Sequence, residues 1–336
     1  MTSAHKIRVG VIGVGAMGWH HARNYSELAD VTLVAVADTD PSRARAVAER
    51  FHCRAYSDYK EMLAQETLDA VSIAVPTHLH YRIACDTLNA RLHTLVEKPL
   101  TNNLAEAADL VQTARTRQIK FAVGHVERFN PAVQELKRRL DAGELGKPSS
   151  LVARRVGVMP PRVKDVDVIL DLAVHDIDIA MFLLGREPDQ IAGSADHALL
   201  SDRFDHSEIF LRFGETGCFI QANWITPIKI RTLSVTGDKG HAEVNYVTQR
   251  LEIFQSTLDR QFDDFGDFII RFGNPQKLAV PIAHQEPLRL ELESFISAVR
   301  NDTPVTVDGL EGMKALEVAV RVRESVNKGE RLKLAY

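Results

Sequence analysis

Between residues 7 and 123 short apolar, β-branched runs alternate with helix-length segments, and this alternation constrains the fold more than any other property of the chain. Residues 7–12, 31–37, 70–75, 92–96 and 120–123 read as strands; residues 19–28, 42–51, 81–90 and 104–117 read as helices. Such strand, helix, strand repetition predicts a parallel, doubly wound sheet with right-handed crossovers. Asp40-Pro41 supplies a cap and a first-turn proline for the second helix.

After Gly124 the pattern changes. A helix at 131–142, a Gly-Pro-Ser stretch at 143–150, a strand, a proline-rich loop and a helix at 169–184 come first. Strand-like alternation then runs from 208 to 254, broken at Gly214, Gly217, Gly237 and Gly240. Residues 256–276 carry little periodicity and read as a loop; helices at 288–300 and 309–327 follow. A chain of 336 residues exceeds what one core usually supports. The expected fold class is α/β: an N-terminal Rossmann domain at 1–123 with a doubly wound parallel sheet, then an α+β domain at 124–336 on a mostly antiparallel open sheet.

A formal net charge of -4 argues against nucleic acid or a membrane surface as the main partner. No apolar stretch approaches the ~20 residues of a membrane span. The start runs directly into the first strand without a signal-peptide pattern, so a soluble, cytoplasmic protein is expected. Cys53, Cys85 and Cys218 are scattered, which predicts reduced thiols and no metal site.

Between the first strand and first helix stands Gly13-Val14-Gly15-Ala16-Met17-Gly18, a complete G-x-G-x-x-G. Its first two glycines allow a tight turn and close backbone approach to a pyrophosphate, the third allows helix–strand packing, and the helix N-terminus favours the anion. Asp38 ends the next strand, where a carboxylate accepts from adenosine ribose hydroxyls and repels a 2′-phosphate, favouring NAD. Two alternatives stay open: Asp38 as the start of a turn, and Arg43 or Arg45 accommodating a 2′-phosphate. Pro76 and Thr77, at the end of the third strand, either line the nicotinamide side of the crevice or terminate the strand and cap the next helix.

Glu97-Lys98-Pro99 stands at the carboxyl end of the next strand, the side of an open α/β sheet that faces the ligand crevice. Proline fixes the backbone just past the lysine, and a cis Lys-Pro bond aims it further. In the second domain the segment 171–178 puts Asp171, His175 and Asp178 on one helix face, while Ile169, Ala173, Ile177 and Met181 pack elsewhere. A histidine one turn from a carboxylate is a plausible proton acceptor; a solvated acidic face is the plain alternative.

In these motifs the chain resembles the Gfo/Idh/MocA oxidoreductases over nearly its whole length: G-V-G-A-M-G, V-P-T-H-L-H-Y, V-E-K-P-L, G-H-V-E-R-F-N-P at 124–131, D-L-A-V-H-D-I-D and the terminal helices. The resemblance implies that Lys98, Asp171 and His175 form the catalytic set and that Glu97 lies by the nicotinamide ribose. It also implies that Ala16, Met17, Pro76, Thr77 and His80 border NAD together with the glycines, Asp38 and Lys98. The second-domain sheet commonly forms an oligomer interface in this family. Two segments look most like the branch that oxidises UDP-N-acetylglucosamine at the 3-position, ahead of transamination by an aminotransferase toward lipid A or a surface polysaccharide. One is Arg154-Arg155 with Arg162 and Lys164; the other is Trp224 with Arg231. Four cations and no acid between 154 and 164 suit a diphosphate, and Trp224 suits stacking. Arg128 and Asn130 complete the expected substrate set. A sibling dehydrogenase of a uronate, free sugar or inositol, and a non-catalytic NAD-binding sensor, remain as alternatives.

Overall fold

A computed structural model describes residues 6–159, 166–255, 258–262, 268–274, 276–328 and 332–333. The chain divides into two compact units. The first takes the residues up to Phe129, Val166 and Glu286–Val320; the second takes Asn130 to Met159, Asp167–Gln285 and the residues from Arg321. The contiguous division expected at residues 123 and 124 therefore differs at 286–320, which group by contact with the N-terminal residues.

The first unit runs β1 (Ile7–Ile12), α1 (Ala16–Glu27), β2 (Val31–Ala37), α2 (Pro41–Phe51), β3 (Arg54–Tyr56), α3 (Tyr59–Gln65), β4 (Ala70–Ile73), α4 (Thr77–Asn89), β5 (His93–Glu97), α5 (Leu104–Thr116) and β6 (Phe121–Gly124). Its six strands are parallel in the order β3-β2-β1-β4-β5-β6, the doubly wound Rossmann arrangement. Runs such as β1 and β2 are apolar nearly throughout because helices cover both faces of such a sheet. The Asp40 carboxylate accepts from the backbone N–H of Ser42 and Arg43 and so caps α2, with Pro41 in its first turn as expected. The sequence pattern missed β3 and α3.

In the second unit α6 (Pro131–Asp141) precedes β7 (Pro148–Val158). A π turn at Ile169–Ala173 leads into α7 (Val174–Leu184). Then follow β8 (Gln190–Asp196), β9 (His206–Phe213), β10 (Thr216–Asn223), β11 (Ile225–Gly237), β12 (His241–Asn245), β13 (Arg250–Gln255), β14 (Leu258–Phe262), β15 (Phe268–Phe272) and β16 (Gln276–Val280). Chain order continues with α8 (Pro287–Asn301), α9 (Gly309–Lys328) and β17 (Leu332–Lys333). The large sheet is ordered β16-β13-β12-β11-β7-β10-β9-β8-β17, antiparallel except where β10 pairs with β7. Residues expected to be a loop at 256–276 instead include the paired strands β14 and β15. Among the described residues no helix is long and apolar enough to cross a membrane, and no cluster of metal-ligating side chains occurs.

The late helix α8 belongs to the first unit for a packing reason. Leu288, Leu292, Phe295 and Ile296 are buried in the same core as Val9, Val11, Tyr25 and Leu95. Just before it, Glu286 accepts from Arg23 at 2.5 Å and from the Asn24 amide at 3.1 Å, both on α1.

Candidate active site

The glycine loop has the geometry its sequence predicts. Gly13 has φ +82°, and a Cβ there would meet Val75 at 2.6 Å; a Cβ on Gly18 would run into the Gly13 carbonyl oxygen. Gly15, by contrast, faces open space, and it stands at the N-cap of α1 with no side chain capping the helix. That end of α1 therefore keeps uncapped N–H groups and has no acidic residue in its first turn, which fits a pyrophosphate. Ala16 and Met17 are the first residues of α1.

Asp38 stands just past β2, buried, and does two jobs at once. Its Oδ2 accepts from Val14 N–H at 2.9 Å, fastening the glycine loop, and its Oδ1 accepts from Asp40 N–H at 2.9 Å, so the expected turn is present as well. Arg43 Nη1 lies 3.2 Å from Asp38 Oδ1 and therefore partners the carboxylate. Arg45 lies on the exposed side of α2.

At the end of β4, Pro76 precedes α4 and Thr77 is its first residue, so the helix begins four residues before the expected start at 81. Thr77 is buried, and no side chain caps the helix. His80 is also buried, and both its ring nitrogens face main-chain carbonyls: Nδ1 is 2.9 Å from Pro99 O, and Nε2 is 2.9 Å from Val75 O. The ring is thus turned to the backbone, and any effect it has on a cofactor passes through the two segments it touches.

Glu97 ends β5 as a buried carboxylate. Its Oε1 lies 2.9 Å from Nε2 of His21 on α1, and its Oε2 accepts from the Lys98 N–H at 3.3 Å. Burial works to raise the Glu97 pKa, but the His21 hydrogen bond and the charges around it hold it below the ordinary value. Gly124 on the neighbouring strand leaves room for this carboxylate, since a Cβ there would lie 3.1 Å from Glu97 Oε2. Lys98 follows half-buried, and the Lys98-Pro99 bond is cis. His21 went unnoticed in the sequence; the signal is a histidine one turn into the helix that leaves the glycine loop.

In the second unit Asp171 lies inside the π turn and His175 in the first turn of α7. Both are half-buried while residues 168–170, 172–174 and 176–181 are buried, so the two share the narrow uncovered strip of this segment. Ile169, Ala173, Ile177 and Met181 are buried as expected, but Asp178 is not on the exposed face: it is 1% exposed, because α7 is covered on nearly every side. π turns recur at functional sites. Asp167, another residue the sequence pattern missed, caps the segment: its Oδ1 accepts from Ile169 and Leu170 N–H at 3.1 Å, and Arg323 Nε lies 2.8 Å from its Oδ2. Its signal is an aspartate two residues before an apolar helical run.

The expected diphosphate cations fare differently. Arg154 and Arg155 are consecutive on β7 and so point to opposite faces of the sheet. Arg154 is exposed and donates to Gln221 at 3.2 Å. Arg155 is buried: its Nε and Nη2 lie 2.7 and 3.0 Å from the two oxygens of Asp176, and its guanidinium sits 4.8 Å from the Tyr246 ring centre. Asp176 therefore takes the fork that had been expected to meet a diphosphate. Arg128 is buried on Glu311 at 3.0 Å, and Asn130 caps α6 while its amide donates to Tyr246 O. Arg128, Asn130 and Arg155, expected on a substrate surface, are thus buried and each has a partner within the chain. Arg231 donates to the Val156 carbonyl at 2.9 Å, and Trp224 is 3% exposed in the bend between β10 and β11. Arg162 and Lys164 lie outside the described residues.

In the first unit the glycine loop with Asp38 and the strand-end Lys98 beside a fixed carboxylate suit a nicotinamide dinucleotide; in the second, the half-buried Asp171 and His175 are groups that can take part in proton transfer. Known proteins bear on this directly. Residues 7–125 match the family model of the oxidoreductase family NAD-binding Rossmann fold, and residues 137–334 match that of its C-terminal alpha/beta domain. The chain is 32% identical over 321 residues to a UDP-N-acetylglucosamine 3-dehydrogenase of Acidithiobacillus ferrooxidans, covering 95% of this chain and 97% of that one. It is also 30% identical to a scyllo-inositol 2-dehydrogenase (NAD(+)) of Bacillus subtilis, over 97% and 95% of the two chains. A solved structure of the Acidithiobacillus dehydrogenase agrees with a TM-score of 0.84 at 31% identity, over 96% and 98% of the chains. With both parts matched in order, the chain belongs to the Gfo/Idh/MocA family of NAD-dependent oxidoreductases.

Proposed function

We propose that this chain oxidises the C3 hydroxyl of UDP-N-acetylglucosamine, giving the 3-keto nucleotide sugar. The observation that supports the reaction class is that Lys98 stands half-buried at a Rossmann strand end in the first unit, while in the second unit Asp171 and His175 are half-buried on an otherwise buried segment. The similarity to the Acidithiobacillus dehydrogenase supports the substrate. The Gly13–Gly18 loop, the α1 N-terminus and Asp38 would hold NAD⁺, which when bound supplies the acceptor for the hydride leaving C3. His175 takes the proton from the C3 hydroxyl. Asp171 orients that imidazole and stabilises its cation. Lys98 donates to the reacting oxygen and offsets the negative charge that grows there. The ketone so formed is the substrate an aminotransferase needs, which fits a cytoplasmic step toward lipid A or a surface polysaccharide and a homo-oligomer assembled through the large sheet.

A second reading, oxidation of an inositol or a free sugar, has a specific observation in its favour. Arg128 and Arg155 are occupied by Glu311 and Asp176, which removes two cations from a diphosphate site. Formation of NADH measured with UDP-N-acetylglucosamine, its uronate, and scyllo- and myo-inositol separates the two. The nucleotide sugar should turn over and UDP should compete; turnover of an inositol with no inhibition by UDP refutes the proposal.

A further inference from the structure

β4 and β5 are neighbouring parallel strands, with Ile73 opposite Val96, and each runs into a proline within three residues of its end, Pro76 and Pro99. Proline carries no N–H, so neither segment can be tied down by a main-chain donor at that point. His80 fills the gap. It is 1% exposed, and its ring nitrogens lie 2.9 Å from the Val75 and Pro99 carbonyl oxygens, one belonging to each segment. A neutral imidazole donates one hydrogen bond here and an imidazolium donates two. The Glu97 carboxylate favours the charged ring, and burial opposes it, holding the pKa below the ordinary histidine value.

We propose that His80 is a positioning residue for Lys98: wedged between the carbonyls of Val75 and Pro99, the neutral ring donates to one of them and packs against the other, and so holds the two strand ends and the stem from which the lysine is presented. The inference rests on the assignment of Lys98 to the reacting oxygen. It also explains why a buried histidine stands where a leucine would satisfy packing, since a leucine offers neither carbonyl a donor.

The test compares His80→Leu and His80→Gln with wild type by two readouts. One is kcat with the nucleotide sugar alongside the NAD⁺ dissociation constant; the other is the rate at which a small amine-acylating reagent labels Lys98, followed by mass spectrometry. The expected result for His80→Leu is a kcat loss of about tenfold or more with NAD⁺ affinity within about threefold, because misplacing a reacting group by about 1 Å costs up to about 10²-fold. Lys98 should label several times faster, and His80→Gln, which keeps an N–H donor, should recover part of both effects. If His80→Leu does not fold, His80→Gln carries the test alone, with intermediate losses expected. An unchanged Lys98 labelling rate in a folded variant overturns the proposal even if kcat falls. Faster labelling in a protein that oxidises none of the sugars would retain the lock and refute the assigned reaction instead.

Discussion

Arg155→Ala tests whether the guanidinium on β7 belongs to the fold or to the substrate. Arg155 and Asp176 are 4% and 2% exposed and share two hydrogen bonds of 2.7 and 3.0 Å. The Tyr246 hydroxyl adds a third contact to Asp176 at 3.3 Å. Removing the arginine strands a buried carboxylate, which costs about 3–5 kcal/mol. With a urea dependence of roughly 2–3 kcal/mol per molar, the midpoint should fall by about 1–2.5 M. The chain has two tryptophans, Trp19 in the first unit and the buried Trp224 in the second. Trp19→Phe therefore leaves Trp224 fluorescence as a reporter of the unit that holds the pair. The double variant Arg155→Met with Asp176→Leu should recover most of the loss, since an apolar pair of similar volume replaces a buried ion pair at little net cost. An Arg155→Ala protein with an unchanged midpoint and a KM for the nucleotide sugar raised tenfold or more would refute this reasoning and return Arg155 to the substrate.

Lys98→Met and His175→Ala should each lower kcat by about 10²–10⁴-fold with the urea midpoint retained, measured by NADH formation; near wild-type turnover in both folded variants would exclude the assignment. Gly15→Val should place a side chain in the space at the α1 N-terminus and weaken NAD⁺ binding about tenfold or more by titration calorimetry, with little change in stability. Asp205 is buried and accepts from the N–H groups of Ala198, Leu199 and Leu200 and from His206; although burial works against ionisation, these bonds hold its pKa well below the usual carboxylate range. A depressed carboxylate stabilises the folded state above its unfolded pKa of about 4 and loses that contribution as pH falls toward its folded value. Asp205→Asn should therefore cost about 1–3 kcal/mol at neutral pH and narrow its gap to wild type in acid melts; a gap that widens on acidification would contradict the sign.

The Rossmann frame was legible because its strands are long apolar runs and its helices repeat at the right spacing. β3 escaped because it is three residues of mostly exposed Arg54, Ala55 and half-buried Tyr56 at a sheet edge, where burial imposes no pattern. The hairpin of β14 and β15 escaped because, among the described residues, those strands pair only with each other. Lys98 was readable from strand-end logic alone, whereas its neighbour's partner His21 depends on α1 packing against the sheet. The burial of Arg155 was not legible since a run of cations looks like one patch in sequence, while a strand sends successive side chains to opposite faces. Its counter-ion, Asp176, was hidden among the acids of residues 171–178.

The placement of α8 has a consequence for how the protein is made. Leu288, Leu292, Phe295 and Ile296 complete a core begun by Val9 and Val11, so the first unit reaches its full hydrophobic interior only after the intervening residues 130–285 have been synthesised. Domains commonly fold in order of emergence from the ribosome. Here the first unit to appear cannot be finished until residues 286–320 have emerged, late in synthesis. A fragment ending before residue 286 should accordingly be recovered as an aggregate, and supplying the 286–320 segment in trans should rescue its solubility.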